Sequence, residues 1–305
     1  MFEERCSVES ILVSVIIPTY KRTNYIERAV KSVINQTYGN IEIVVVDDNV
    51  PDSAESTYIK EKIASLDRRI VIVNTQGKTG GGKVRNIGAR KAKGEYFAFL
   101  DDDDIFLEDK IETQLNFMLD NDYDMSIHDL EWYDENEKLV ERRAFDFICD
   151  DSSEYMLKQH IIHHLAPTGI YMITKRAFFS TDGFGETPMG QDWRLMLSCC
   201  HVGLRIGYMK GVYVHQYLHS GERISIGQNK IDGENSLYEI KKAHMHLLTG
   251  AEKKYVRFRH YAVLMFGCLR SKFYFRTIGY GAIAFFVSPR YCIEEARKYF
   301  GNRKK

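Results

Sequence analysis

Glu95-Tyr96-Phe97-Ala98-Phe99-Leu100-Asp101-Asp102-Asp103-Asp104 is the stretch whose reading decides the fold. Its first six residues follow Gly94 and, after Glu95, are apolar and aromatic-rich, the pattern of a short buried strand. Downstream, Ile111, Leu115, Met118 and Leu119 recur at helical spacing, which predicts a helix over about 105–119. Four carboxylates between a strand end and a helix start repel one another unless positive charge sits among them. Two readings are open at this point. The acids form either a solvated turn that caps the helix and complements its dipole, or a site for a divalent cation.

Upstream, 11–17 is a continuous apolar run ended by Pro18, and Asn24 with Glu27 has the spacing of a capping box. Ile26, Ala29, Val30, Val33 and Ile34 form one face of the helix that follows. A second strand, 41–46, runs into Asp47-Asp48-Asn49; a helix over about 53–66 and a third strand, 70–74, come next. A glycine-rich loop then opens a third helix near Lys83. Apolar strands alternating with helices predict an α/β, Rossmann-like fold: a mostly parallel sheet with helices on both faces. Ligands of such sheets sit outside the carboxyl ends of the strands. The polar clusters fall there: Thr19-Tyr20-Lys21-Arg22, Asp47-Asp48, the glycine loop, and Asp101 to Asp104. Four clusters on one rim favour a site over four unrelated turns.

The loop Gly77-Lys78-Thr79-Gly80-Gly81-Gly82-Lys83-Val84 nearly fits the phosphate-binding pattern G-x-x-x-x-G-K-[ST], but Val84 stands where a metal-binding hydroxyl is needed. It also follows the third strand rather than the first. The alternative starts from Arg85 and Asn86 on the first turn of the next helix, where glycines admit a phosphate and arginine adds charge. A flexible turn with a surface arginine is the plainer reading.

Taken together, the motifs resemble the inverting family-2 glycosyltransferases, whose nucleotide-sugar domain has the GT-A fold. The matches are 15–22 at the first strand end, Gln36-Thr37-Tyr38, Val44-Val45-Val46-Asp47-Asp48, 82–88, and Gly94-Glu95-Tyr96 leading to the four aspartates. They occur in the family's order and cover about 11–225. The resemblance implies that Tyr20, Arg22 and Asp48 line the base pocket beside Pro18, Thr19 and Asp47. It places Gly82, Arg85 and Asn86 at the donor's diphosphate or ribose. Asp101-Asp102-Asp103 would be the D-x-D element, Asp102 near the ribose and Asp103 on Mn²⁺ or Mg²⁺; Asp104 extends the element or caps the helix and is left out of the metal shell. Gly190-Gln191-Asp192-Trp193-Arg194-Leu195 is similar to the family's acidic element, making Asp192 the catalytic base. A plain helix cap is the alternative for Asp192. The Q-x-x-R-W signature of processive synthases is absent, which implies transfer of one sugar. Tyr217-Leu218-His219 matches the family's Tyr-x-His, with His219 a metal or diphosphate ligand in preference to His215. The donor implied is a UDP-sugar, the acceptor a glycan.

Composition adds the remaining expectations. The chain has 305 residues, of which 44% are hydrophobic, enough for a sizeable core. Residues 1–10 lack the apolar centre of a signal peptide, and six cysteines without a C-x-x-C pair fit a reducing cytoplasm. His160, His163 and His164 have no carboxylate at ligand spacing and do not form a zinc site. The domains expected are 1–110 for nucleotide-sugar binding, 111–230 for the acceptor, and a basic, amphipathic helical tail over 231–305. Within it, 251–305 carries 13 Lys and Arg against three Glu, although the whole chain is neutral. Apolar runs at 261–269 and 278–287 are each shorter than the roughly 20 residues that span a bilayer. Aromatic and basic flanks suit a helix lying in an anionic membrane interface on the inner face of the cell membrane, and nucleic acid would not need those apolar runs. A polyprenyl-diphosphate-linked acceptor would give that placement a purpose; a helical cap on the catalytic domain is the alternative. The rival functions are phosphoryl transfer through the glycine loop and a catalytically silent donor-binding protein at the membrane.

Overall fold

The computed structural model describes residues 8–187, 189–218 and 227–301. These fall into two compact units. The first takes the chain up to 157 together with 165–187 and 191–218; the second takes 158–164, 189–190 and 227 onward.

The first unit runs β1 (Val13–Thr19), α1 (Thr23–Ile34), β2 (Ile41–Asp47), α2 (Ala54–Tyr58), β3 (Ile70–Asn74), α3 (Gly81–Lys91), β4 (Tyr96–Phe99), β5 (Ile105–Phe106), α4 (Lys110–Asn121), β6 (Met125–Asp134) and β7 (Leu139–Arg143). It continues with α5 (Ser153–His163), whose second half belongs to the other unit, β8 (Met172–Thr174), α6 (Lys175–Phe179), α7 (Gln191–His201) and β9 (Ile206–Leu218). One sheet holds all nine strands in the order β3-β2-β1-β4-β8-β6-β9-β5, with β7 on β6. β3, β2, β1 and β4 are parallel neighbours, as their continuous apolar runs predict. Every residue of β2 is buried although successive side chains point to opposite faces, so both faces are covered. Beyond β4 the sheet is mixed: β8 is antiparallel to β4 and β6, and β9 is parallel to β6.

The direction of crossover changes between β1 and β4, which makes the carboxyl ends of those two strands the switch point of the sheet. Their register sets Ile16 against Phe99, and Thr19 and Asp102 each lie three residues beyond that pair. The acidic run therefore leaves the sheet beside Arg22.

Two local expectations are corrected. The capping box at Asn24 is absent: Arg22 precedes α1, and Glu27 turns instead to Lys31 at 2.6 Å. The helix after the aspartates starts at Lys110, because Ile105 and Phe106 pair with Val214 and His215 of β9. Asp104 is therefore no helix cap. β8 is preceded by a 3-10 turn at Thr168–Ile170.

The second unit contains α8 (Gln228–Ala243), α9 (Gly250–Arg270), α10 (Tyr274–Val287) and α11 (Pro289–Gly301). A true capping box opens α9: Thr249 Oγ1 accepts from the Glu252 amide at 3.3 Å while Glu252 accepts from the Thr249 amide at 2.8 Å. Ile231 packs with Leu264 and Cys268, and Phe258 and Ala262 pack with Ala284. Among the described residues no helix is long and apolar enough to cross a membrane.

Candidate active site at the strand-end rim

The positive charge that four clustered aspartates require comes from three arginines on two helices and the loop before one of them. Arg22 pairs with Asp102 at 3.1 Å and with Asp103; Arg85 pairs with Asp101; Arg28 donates to the Asp103 carbonyl at 2.9 Å. Burial works against the charge on Arg22 and Arg85, yet Asp103 and Asp102 around the first, and Asp101 beside the second, hold both above the usual arginine range. Burial, then the neighbouring Asp103 charge, raises the Asp102 carboxyl to about 7, against the pull of Arg22 and the Thr19 hydroxyl. Asp104 has a different role. It is buried and accepts from the Tyr217 amide at 3.0 Å and Gln216 Nε2 at 2.8 Å, so it anchors the end of β9. Burial and the charges of Asp103 and Asp101 push its carboxyl well above the ordinary range. The Arg28 guanidinium lies 3.8 Å from the centre of the Tyr217 ring, which ties β9 to the same corner a second time.

Asp101, Asp103 and Asp104 each offer a carboxylate oxygen, and these lie within 4.8 Å of one another. This set of hard oxygens fits Mg²⁺ or Mn²⁺. Asp104 already accepts two hydrogen bonds, so Asp101 and Asp103 are the residues that would hold the ion, with Asp104 behind them. His219 lies outside the described residues. His215, the lesser candidate, sits on β9 with Nε2 at 3.5 Å from Glu131 and its ring on Tyr133.

On the other side of β1, Thr19 stands against Asp47 and Pro18 against Val46. Tyr20 is half-buried, with the Lys21 ammonium 5.3 Å from its ring centre. Asp47 accepts from Asn49 Nδ2 at 2.7 Å and Ser56 Oγ at 2.7 Å, so both of its oxygens brace the strand end. Asp48 accepts from Thr75 Oγ1 at 2.5 Å and from the amides of Thr79 at 2.9 Å and Gly80 at 3.3 Å. A P-loop turns such amides toward phosphate. Here they turn toward an aspartate, and Lys83 pairs with Glu186 at 3.2 Å.

The helix that carries Arg85 is locked to the segment ahead of α7. A Cβ on Gly82 would overlap the Gly185 carbonyl oxygen, so only glycine admits this approach. Asn86 donates to the Phe184 carbonyl at 3.0 Å and accepts from the Phe184 amide at 2.9 Å, which uses its side chain as a clasp. Phe184 lies under the Arg85 guanidinium and packs edge-on against Phe99. Arg85 also donates to Gln191 Oε1 at 3.1 Å, the first residue of α7. One guanidinium thus links Asp101 to the turn that bears Asp192. Its Nε is buried with no hydrogen-bond partner among the described residues, a donor suited to an anion. Asp192 follows Gln191 in the first turn and accepts from the Trp193 amide at 2.8 Å. Burial raises its carboxyl to about 6, opposed by the Trp193 amide and by Arg85.

A model of glycosyl transferase family 2 matches residues 14–180, more than half of the chain. The chain belongs to glycosyl transferase family 2. Among curated relatives, an uncharacterized glycosyltransferase of Haemophilus influenzae is 42% identical over 110 residues, covering 36% of this chain and 43% of the relative. WfgD of Escherichia coli, a UDP-Glc:alpha-D-GlcNAc-diphosphoundecaprenol beta-1,3-glucosyltransferase, is 37% identical over 114 residues, covering 37% of this chain and 44% of WfgD. These matches span less than half of each relative's length. Staphylococcus aureus TarS, solved in complex with UDP-GlcNAc, superposes with a TM-score of 0.63 at 21% identity over 83% of this chain and 73% of that one. The GT-A fold of this family-2 chain is thereby shown.

Of the anticipated site residues in this family-2 chain, the structure brings together Arg22, Arg85, Asp101, Asp102 and Asp103, with Asp192 one residue beyond the Arg85 contact. Asp47, Gly82 and Asn86 sit in the same region but have their side chains or approach taken up by neighbouring backbone. Sequence patterns gave no role to Arg28, Gln191 or Gln216, although Gln191 stands in the acidic element beside Asp192. Arg28 lies on α1 off the apolar stripe, and its target is a main-chain carbonyl that no motif carries.

Proposed function

We propose that the chain transfers one sugar from a UDP-sugar to a hydroxyl of a glycan acceptor, with inversion, in cell-surface polysaccharide synthesis. The observation that carries this reading is the Arg85 bridge, which joins the acidic diphosphate end of the rim to the turn that holds Asp192. Arg22 and Arg85 would receive the donor's diphosphate, while Pro18, Thr19, Tyr20, Asp47 and Asp48 shape the nucleoside side of the rim and Asp102 faces the ribose. Asp101 and Asp103 would hold Mg²⁺ or Mn²⁺, which would supply Lewis-acid stabilisation of the departing diphosphate. Asp192, with a carboxyl near pH 6, is ionised at neutral pH and accepts the proton of the acceptor hydroxyl as it attacks the anomeric carbon. The proton ends on Asp192, and the glycosidic electrons leave with UDP.

WfgD, whose name specifies UDP-Glc and a diphosphoundecaprenol acceptor, supports a lipid-linked acceptor here. The TarS complex with UDP-GlcNAc supports a UDP-sugar. A lipid-linked acceptor calls for the tail to hold the chain on the anionic inner face of the membrane. The test is UDP release from a panel of UDP-sugars in Mn²⁺ or Mg²⁺, before and after chelation. Slow donor hydrolysis that chelation stops supports the transferase; donor binding without turnover would assign a silent donor-binding protein instead.

A further inference from the structure

Large exposed apolar side chains concentrate in the second unit. On α10, Thr277, Tyr280, Gly281, Ala284 and Val287 are wholly or partly buried at helical spacing, and a Cβ on Gly281 would stand 3.1 Å from Met265 Sδ of α9. The opposite face is apolar too: Phe275 is 93% exposed, Ile278 71% and Phe286 84%. A helix apolar on all sides needs cover on all sides. With 14 residues it is about 21 Å long, short of a hydrocarbon core of about 30 Å.

A groove of about 550 Å³ lies beside this face. One wall is Lys253, Lys254 and Arg257 on the first turns of α9; the other is Ile283, Phe286 and Val287. The neighbouring charges are matched, Lys158 with Glu252 at 3.0 Å and Arg259 with Glu295 at 4.0 Å. Lys253, Lys254 and Arg257 are exposed and form no ion pair among the described residues. Three unmatched cations facing an apolar wall complement one ligand chemistry, an anionic head joined to a hydrocarbon chain.

We propose that this groove seats the phosphate of an anionic phospholipid at a bilayer surface. Lys253, Lys254 and Arg257 surround the phosphate, the first methylenes lie along Ile283, Phe286 and Val287, and the outer face of α10 enters the interface. The inference rests on the membrane-facing reading of the tail and adds to it a defined headgroup seat.

The test is flotation of the full chain, without donor, on three kinds of vesicle: phosphatidylcholine, phosphatidylcholine with phosphatidylglycerol, and phosphatidylcholine doped with a polyprenyl diphosphate. The expected result is binding to the phosphatidylglycerol vesicles that falls on the order of a hundredfold when Lys253, Lys254 and Arg257 are all changed to Gln. Changing Arg270, Lys272 and Arg276 to Gln should cost much less, and Phe275→Ser with Phe286→Ser should remove binding to every vesicle. Equal binding to neutral and anionic vesicles leaves the membrane reading standing and overturns the seat. So does an equal loss from the two charge triplets. Recruitment by polyprenyl diphosphate alone assigns the groove to the acceptor and overturns the phospholipid; no vesicle binding overturns both readings. UDP release, measured separately, is indifferent to these outcomes.

Discussion

Asp192 and the aspartates of the rim are carboxylates whose neighbours assign them different tasks. Asp101 and Asp103 face arginines, Asp104 faces two hydrogen-bond donors, and Asp192 is raised toward neutrality by burial. Asp192→Asn should leave donor affinity unchanged and lower turnover about 10²–10⁴-fold, read as UDP release at saturating donor. The sign of the pH dependence follows from the proposed base role. The active form is ionised, so kcat/KM should be flat above about 6 and fall tenfold per pH unit below it. A profile with no acid limb near that value argues against Asp192 as base. At this scale the acids were legible because four in a row demand an explanation. Their partners were only half legible: Arg22 and Arg85 lie in motifs, whereas Arg28 acts through a backbone carbonyl and a tyrosine face more than 100 residues apart in sequence.

Elements were readable where burial is two-sided. β1 and β2 are continuous apolar runs because both of their faces are covered, and no period-2 alternation can hide them. β5, two residues long, was not readable: it exists because β9 pairs with it, and local pattern alone favoured extending the next helix through it. The join between α3 and the segment before α7 is likewise tertiary. Gly82→Ala should force apart the helix and the Gly185 carbonyl, lowering stability by about 1–3 kcal/mol in denaturant melts. Arg85 and Asn86 belong to the same helix, so the variant should also raise KM for donor. Unchanged stability would mean that the loop yields without strain.

At the scale of the whole molecule, acid sensitivity has an identifiable source away from the rim. His128 is fully buried on β6; its Nδ1 faces the Asp129 carbonyl at 2.6 Å, and its Nε2 has no hydrogen-bond partner among the described residues. Burial, with the Lys110 charge nearby, lowers its pKa to about 3. The unfolded chain binds this proton near pH 6.5 and the folded chain does not, so stability is full above 6.5 and declines as pH falls toward 3. The loss between pH 6.5 and 4.5 should be on the order of 2–3 kcal/mol, and His128→Leu should flatten that dependence in urea melts. No sequence pattern distinguishes such a histidine from an exposed one, since its burial is set by strands that arrive later in the chain. The Arg85 bridge has a related consequence for assembly. It closes contacts from residue 85 to 101 and from 85 to 191, so the rim depends on pairings of high contact order. A chain that stops short of α7 lacks one anchor of that guanidinium, and during folding the rim cannot be complete until most of the first unit has come together.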